Sequence, residues 1–324
     1  MEYIHKNSNP KIKVSYFQSS IALKNELINQ EKNNIRICYY RPFVKRYLYF
    51  NEQIIENKYR WLNIFLQNNT KNILIATSGT SESSDFSCLA IKELTDLHFI
   101  GTAQCYPLYW YKTNKEPNLF VNDSEIKDYT INLEIVTSFK EKYNDLNITA
   151  FHIYIYIYIY AMLHSKIYQQ KYYNNLTKES PRIPYLKDFW KYVEIGQKLM
   201  DLHVNYEEIS PYQNVEIDIK KEDYTIKKLK FSNDRTEIKF NEYITIKNIP
   251  TRANQYKVGG KSPLEWIVNQ YKYSVDPESG IVNDPNKFDE IKGGKYVFDL
   301  ILSLITLSLG TLDLIAQLPE YQEI

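Results

Sequence analysis

The longest apolar stretch of the chain, Val297 to Leu318, limits the possible folds, because the fold must bury it away from water. It contains Asp299, Gly310 and Asp313, and its longest uncharged part, 300–312, has only 13 residues. A helix needs about 20 apolar residues to span hydrocarbon, and one Asp inside the span costs about 2.5–3.5 kcal/mol. The sequence therefore predicts a helix buried in a protein core, and a membrane helix is the less favoured alternative.

The composition is that of a globular protein of about two domains. The chain has 324 residues, of which 44% are hydrophobic, and its mean hydropathy is −0.47; a domain usually takes roughly 150 residues. Tyrosine occurs 30 times and glycine only 9 times, which argues against the glycine-rich loops that cradle nucleotides. The 40 basic and 39 acidic residues exclude a protein that is basic overall. Any nucleic-acid surface must therefore be a local patch.

The cysteines and the first residues predict a cytoplasmic protein. Cys38, Cys88 and Cys105 form no CxxC pair, and their odd number does not suit a disulfide framework. Residues Met1 to Asn9 are polar and lack the apolar core of a signal peptide.

Hydrophobic periodicity predicts an α+β fold with mixed or antiparallel sheets, segregated helices and a helical C-terminus. Strands are expected at Ile12–Phe17, on both sides of Pro42 within Ile35–Phe50, at Asn72–Thr77, at Phe86–Ile91 and around Pro107 within Leu97–Tyr111. Helices are expected before residue 31 and at Gln53–Gln67, Leu133–Asn147, Ala161–Leu176, Asp188–Tyr206, Pro263–Gln270 and Lys295–Leu318. Short alternating blocks between Val215 and Ile249 predict an antiparallel meander. The expected division is an α/β part (1–150), a helical part (151–210) and the meander followed by C-terminal helices (211–324).

A low-complexity run, FHIYIYIYIY, occupies Phe151 to Tyr160. Its period of two predicts a strand with isoleucines on one face and tyrosines on the other.

No catalytic motif is found in the chain. There is no GxGxxG, HExxH, paired CxxC or GxSxG, and no Asn-Pro-Pro-Tyr of adenine-N6 DNA methyltransferases. Gly259-Gly260-Lys261-Ser262 looks like the end of a P-loop, but Gln255 stands where the first glycine should be, so a plain loop is expected. The histidines, such as His152 and His164, lack ligand spacing and are expected to be structural. We therefore predict no metal and no cofactor in this chain.

The best local signal is the segment from Arg36 to Phe50, in which basic and aromatic residues alternate. Guanidinium groups suit phosphate oxygens and the O6/N7 edge of guanine, and aromatic rings supply stacking area. The candidate DNA-binding residues are Arg41, Lys45, Arg46 and Tyr47, with Arg60 and Lys112 as isolated additions. The alternative is an ordinary sheet with aromatic residues in the core and basic residues in solvent.

Seven segments together resemble one family. They are Arg41–Phe50, Cys105–Tyr111, Tyr158–Ser165 with Tyr168 and Tyr172, Pro181–Pro184, Asp188–Trp190 with Gly196 and Leu202-His203, Tyr256–Ser262 with Glu265–Ile267, and Ser279–Asn286. In this order they resemble the C-terminal specificity region of the single-polypeptide type I, or type ISP, restriction-modification enzymes. The resemblance covers nearly the whole chain.

The resemblance implies a sequence-specific module that reads double-stranded DNA. In this family one long chain carries a nuclease, a helicase-like motor, an adenine-N6 methyltransferase and then the specificity region. S-adenosylmethionine and ATP with Mg²⁺ would be used by those other domains, which are expected to be encoded separately or upstream. The module would position the methyltransferase, which flips its adenine out of the duplex.

Two departures from the family leave alternatives open. The sequence begins where the methyltransferase would end, so the chain is either a separate specificity subunit or an inactive or truncated fragment. A methyltransferase active on its own is the more distant alternative. In addition, the Ile153–Tyr160 run is longer than the corresponding segment of the family, which continues into a helix.

Overall fold

The computed structural model describes residues 34–50, 60–65, 70–80, 84–112, 127–153, 157–275, 277, 280 and 282–324. Over this part the chain is α+β, with small sheets and a helical C-terminus, as the sequence predicts. The strand expected at Ile12–Phe17 and the helix after it lie outside the described residues. So does most of the helix expected at Gln53–Gln67.

The strands are short. They are β1 (Ile35–Arg41), β2 (Val44–Tyr49), β3 (Leu74–Thr77), β4 (Cys88–Ile91), β5 (Leu94–Thr95), β6 (Gln104–Pro107), β7 (Tyr109–Tyr111), β8 (Lys127–Tyr129), β9 (Glu216–Ile219), β10 (Lys230–Phe231), β11 (Ile238–Lys239), β12 (Ile244–Lys247), β13 (Ser274–Val275) and β14 (Val282–Asn283).

Most of the α-helices in the described residues are short. In chain order the helices are α1 (Trp61–Ile64), α2 (Leu133–Tyr143), α3 (Ala150–Ile153), α4 (Tyr158–His164), α5 (Lys166–Lys171), α6 (Tyr173–Leu176), α7 (Phe189–Val204), α8 (Pro263–Gln270), α9 (Pro285–Ile291) and α10 (Tyr296–Ala316). The two longest are α7 and α10.

The N-terminal strands form two three-stranded sheets. In the first, the β1–β2 hairpin bends at Pro42-Phe43, as expected, and β5 joins β1 in parallel. Phe43 has a φ of 62° in this bend and a buried side chain. In the second, β3 lies between β4 and β6, with both pairs antiparallel. The parallel pair makes the first sheet mixed.

The C-terminal sheet is antiparallel but is not a simple meander. Its order is β10-β11-β12-β9, so the first strand in sequence pairs with the last. Of the alternating residues 224–231 only Lys230–Phe231 forms a strand. Helix α8 follows a capping box in which the side chains of Ser262 and Glu265 each accept a backbone N–H of the other residue.

The prediction of a strand at Phe151–Tyr160 is wrong. Within the described residues of this segment the backbone is helical, in α3 and at the start of α4; residues 154–156 lie outside them. The rings of Tyr158 and Tyr160 are buried, and their hydroxyls pair with distant groups: Tyr158 with the backbone of Pro184 and Leu186, and Tyr160 with the Ala90 amide. These tertiary contacts outweigh the β preference of alternating Ile and Tyr.

Helix α10 confirms the prediction of a buried C-terminal helix. It is long and apolar enough to cross a membrane, but 56% of its most apolar stretch is buried inside the protein. Its N-terminal half, from Val297 to Leu307, belongs to a cluster with the β1–β2 hairpin and the C-terminal sheet. Leu314 and Ile315 pack against a second cluster, formed by β4, α4 and α7. The first cluster combines residues of the predicted parts 1–150 and 211–324, and the three-part division itself stays a prediction.

A buried polar chain links α10 to the second cluster. The Tyr160 hydroxyl accepts the Ala90 amide at 2.9 Å and pairs with Nδ1 of His203, whose Nε2 lies 2.8 Å from Oγ1 of Thr311 in α10. Since the Tyr160 hydroxyl accepts from Ala90, its own proton points to Nδ1, and the neutral ring of His203 is left with Nε2–H to donate to Thr311. His164 lies beside them, with Nδ1 2.8 Å from the Tyr160 carbonyl. His164 and His203 are therefore structural, as expected.

The two buried histidines should make the fold sensitive to mild acid. Burial lowers the pKa of His164 to about 4 and that of His203 well below its usual value. In the unfolded chain both take up a proton near pH 6.5. Between about pH 6.5 and 4 the unfolded state therefore binds more protons, and the free energy of unfolding falls as the pH is lowered. We expect the melting temperature to decline between pH 7 and pH 5, before most carboxylates titrate, and His164→Gln should flatten that decline. An unchanged melting temperature over this range would contradict the neutral assignment.

Gly196 allows α4 and α7 to touch. A Cβ at Gly196 would meet the Ile157 carbonyl oxygen at 1.7 Å, whereas a Cβ at Gly310, in α10, would lie 3.4 Å from the nearest atom of Leu202. We expect Gly196→Ala to lower the free energy of unfolding by about 1–3 kcal/mol, since the helices must move apart. Gly310→Ala is the matched control and should be neutral or stabilising by up to about 1 kcal/mol. Urea titration of both variants measures the difference, and equal effects would rule out the close approach.

Candidate nucleic-acid interface

The β1–β2 hairpin separates its basic residues into different environments. Tyr39 is paired with Lys45 and Cys38 with Arg46 across the two strands. Because side chains alternate along a strand, Lys45 and Arg46 point to opposite faces of the sheet. Both faces are covered by later parts of the chain, so the position of each cation depends on what covers it.

Lys45 points into the protein. Its side chain is 3% exposed and its ammonium forms an ion pair with Glu207, just after α7. It also lies 5.1 Å and 5.3 Å from the ring centroids of Tyr39 and Tyr206. An ammonium held in this way is not available to DNA, and we assign Lys45 a role in packing the hairpin.

The carboxylates around Lys45 respond to its charge. Burial by itself would raise the pKa of Glu207, but the Lys45 ammonium and hydrogen bonds from Lys45 and Tyr296 hold it below its usual value. Glu93 is also close to this pair, and burial raises its pKa in spite of Lys45 and Lys92. The Glu207 carboxylate is therefore charged at neutral pH.

Arg46 is held from the other face. Its guanidinium lies 4.8 Å from the ring centroid of Tyr271 and donates to the Gln270 carbonyl at 3.2 Å, which fastens β2 to the end of α8. Like Lys45, it connects the hairpin to the C-terminal half.

Arg41 and Tyr47 lie nearer the surface. The Arg41 guanidinium is stacked 4.1 Å from the ring centroid of Tyr40 and forms a 2.7 Å ion pair with Asp96. Tyr47 is 42% exposed, and its ring packs 5.3 Å from that of Phe288. Asp96 and Tyr40 hold the guanidinium in one orientation while part of it faces solvent. Of the four candidates on the hairpin, these two are placed where an external partner can reach them.

The structure brings Arg60 and Lys112 together at the β7–β8 hairpin. The Arg60 guanidinium lies 5.6 Å from the ring centroid of Trp110, and Lys112 pairs with Asp128 at 2.5 Å. Trp110 and Asp128 are opposite each other in the β7–β8 ladder. Both cations are exposed, so they form a second basic and aromatic group, separate from that of the β1–β2 hairpin.

Sequence reasoning missed a group of lysines around a cleft of about 590 Å³. The cleft lies between the β7–β8 region and α7, and Lys71, Lys92 and Lys127 line it together with Glu93 and Asp201. Lys127 lies over the Tyr109 ring at 4.2 Å, and Lys92 donates to the Asn205 side chain at 3.1 Å. These lysines are far apart in sequence and stand in no motif, so only the fold brings them together.

In the part of the chain that the structure describes, no group of three or more His, Cys, Asp or Glu side chains could hold a metal ion. The GGKS segment forms a tight turn in which Gly259 and Gly260 both have positive φ, followed by the Ser262 cap of α8. It is the loop that the sequence predicts.

The chain matches one family over nearly its full length. The model of the Type ISP C-terminal specificity domain covers residues 2–300. No curated protein sequence matches the chain.

Several solved structures share the fold. One is the ATP-dependent Type ISP restriction-modification enzyme LlaBIII bound to DNA, with TM-score 0.88 and 33% identity over 99% of this chain and 21% of that one. A second is a nuclease-deletion mutant of the Type ISP enzyme LlaGI with a DNA substrate mimic, with TM-score 0.81 and 37% identity over 98% of this chain and 23% of that one. A third is the DrdV–DNA complex, with TM-score 0.81 and 25% identity over 99% of this chain and 32% of that one. The chain spans less than a quarter of the length of LlaBIII or LlaGI.

Removing the buried ammonium of Lys45 should act on stability. In Lys45→Met the Glu207 carboxylate keeps the Tyr296 hydrogen bond but loses its counter-ion, and we expect a loss of about 3 kcal/mol in the free energy of unfolding. Lys45→Met/Glu207→Gln removes the unpaired charge and should recover part of that loss. Urea titration of both variants tests this. A single variant as stable as the unmodified chain would show that the pair does not hold the hairpin.

Proposed function

The chain belongs to the Type ISP C-terminal specificity domain family, and on that premise we propose that it recognises the target DNA sequence of a restriction-modification system. The observation that carries the proposal is the match of 98–99% of the chain to Type ISP enzymes whose structures contain DNA or a DNA mimic. A module of this kind supplies sequence recognition, and catalysis is left to other domains.

The other activities would reside outside this sequence. We propose that an adenine-N6 methyltransferase and a helicase-like motor with a nuclease act with this module, encoded upstream or separately, and that they use S-adenosylmethionine and ATP with Mg²⁺. The chain's share of its relatives, 21–23% of the Type ISP enzymes, supports this division. The cytoplasm is the proposed location, since three unpaired cysteines suit a reducing compartment.

The fold favours a working module over a poorly folding remnant. Two clusters of buried side chains extend from Cys38 to Leu307 and from Ile75 to Val204. A chain that lacked its partner domains for folding would leave such clusters open to solvent.

Arg41 is our first choice for a base contact. A guanidinium already oriented by a carboxylate and a ring loses less side-chain freedom on binding. Its fork of donors fits guanine O6/N7 in the major groove or, equally, a phosphate. Tyr47, Arg60 and Lys112 are proposed as further contacts, since all three are exposed.

Arg41→Ala distinguishes the two kinds of contact. If Arg41 contacts a base, binding of the Ala variant to the preferred site should weaken by about 1–3 kcal/mol, and the preference for one base at one position of the site should be lost. The measurement is selection of bound duplexes from a random library, followed by titration of the selected duplex and variants of it.

Arg182→Ala is the control, because Arg182 is an exposed arginine that, like Arg41, pairs with a carboxylate, here Glu179. Equal weakening by Arg41→Ala on every sequence, with a smaller salt dependence, would assign Arg41 to phosphate. An effect no larger than that of Arg182→Ala would remove Arg41 from the interface. Failure of the unmodified chain to bind any duplex would overturn the proposed function.

A further inference from the structure

The C-terminal sheet places lysines directly opposite one another. Lys230 of β10 is paired with Lys239 of β11. Two residues before Lys230, Lys228 forms an antiparallel bridge with Lys272, which follows α8. Residues paired across an antiparallel ladder project from the same face, and Lys228 and Lys230 share a face because they are two apart. We call Lys228, Lys230, Lys239 and Lys272 the lysine face.

The burial pattern confirms that the lysine face points outwards. All four lysines are exposed, whereas Leu229, between the first two, is 2% exposed, and Ile238, next to Lys239, is fully buried. The inner side of the sheet thus packs on the core and the outer side carries the charges.

The nearby carboxylates are used by other lysines. Glu242 pairs with Lys227, and both Glu216 and Asp218 pair with Lys247. Across the sheet the row of Lys230 and Lys239 continues to Thr245 and then to Asp218. In the described part of the chain, no carboxylate forms an ion pair with any member of the lysine face.

This arrangement disfavours the folded protein by itself. Like charges directly opposite in an antiparallel pair are destabilising, and the lysine face contains two such pairs side by side. A polyanion laid across them would remove the repulsion. Lysine is a compact point charge with no directional pattern of donors, so the ligand it fits is a row of phosphates and not a set of base edges.

We propose that the lysine face binds the phosphate backbone of duplex DNA and adds affinity without sequence information. The inference rests on the proposed function and extends it to a sheet that shares no strand with the β1–β2 hairpin. The two are joined through α8, since Arg46 of β2 lies over Tyr271, directly before Lys272. The hairpin would read the site, and the lysine face would hold the duplex beside it.

The test is the salt dependence of DNA binding by the full chain. A variant with all four lysines changed to Gln is titrated with a 20-base-pair duplex of arbitrary sequence at several salt concentrations. The slope of log K against log salt should become shallower by about 0.9 for each lysine that neutralises a phosphate. The weakening should be the same for every duplex sequence. Changing the four lysines to Arg keeps the charges and should restore the slope.

Lys191→Gln/Lys198→Gln, on the exposed side of α7, is the control for loss of net charge, and the change in slope is compared per lysine because this variant loses two charges and not four. The four-lysine Gln variant should melt at the temperature of the unmodified chain or above it, since repulsion is removed. A slope that stays unchanged in the four-lysine Gln variant, or that changes no more than in the α7 control, overturns the inference. If the unmodified chain still binds DNA in that case, the proposed function stands and only the role of the lysine face is rejected. If the unmodified chain binds no duplex at low salt, the proposed function itself is rejected.

Discussion

The apolar surface of helix α10 has to be shielded from water, and the rest of the structure packs around this helix. Its apolar residues fill the centre of the first cluster, and its end reaches the second. No single neighbouring sheet is large enough to bury a helix of 21 residues. Helices α7 and α8 and the 3-10 turn at Thr251–Asn254 are the elements that contact it most. Thr311, on the same helix, completes the hydrogen bonds of His203 in α7. The two long helices are thus tied by packing and by a buried polar contact.

The position of the candidate interface follows from this packing. Tyr296, the first residue of α10, donates to Glu207 just after α7, and Glu207 in turn holds Lys45 of the β1–β2 hairpin. Each contact in this series joins segments that are distant in sequence. The partly exposed guanidinium of Arg41 is therefore presented by a hairpin whose orientation is set by the two long helices.

Much of the fold could be predicted from local signals in the sequence. The start of α8 follows from a serine cap, a proline and a glutamate, and α10 follows from an apolar run too interrupted to span a membrane. The Ile-Tyr run could not be read in this way, because the partners of Tyr158 and Tyr160 lie elsewhere in the chain. The same holds for the site. Alternation places Lys45 and Arg46 on opposite faces, but which face is covered depends on Glu207 and Tyr271, and the pairing of Lys228 with Lys272 depends on the course of the intervening chain.

The place of α10 in the sequence has a consequence for biosynthesis. Residues 296–316 are made after nearly all the strands and helices they cover, so the first hydrophobic cluster, to which Val297 to Leu307 belong, cannot close while the ribosome is still translating the earlier parts. Contacts of such long sequence separation form slowly, and the unfinished chain exposes apolar surface meanwhile. A chain truncated before α10 would be bound by chaperones or degraded by proteases, and it would not act as a weaker DNA-binding protein. Quality control of the nascent chain would thus remove incomplete copies before they could compete for DNA.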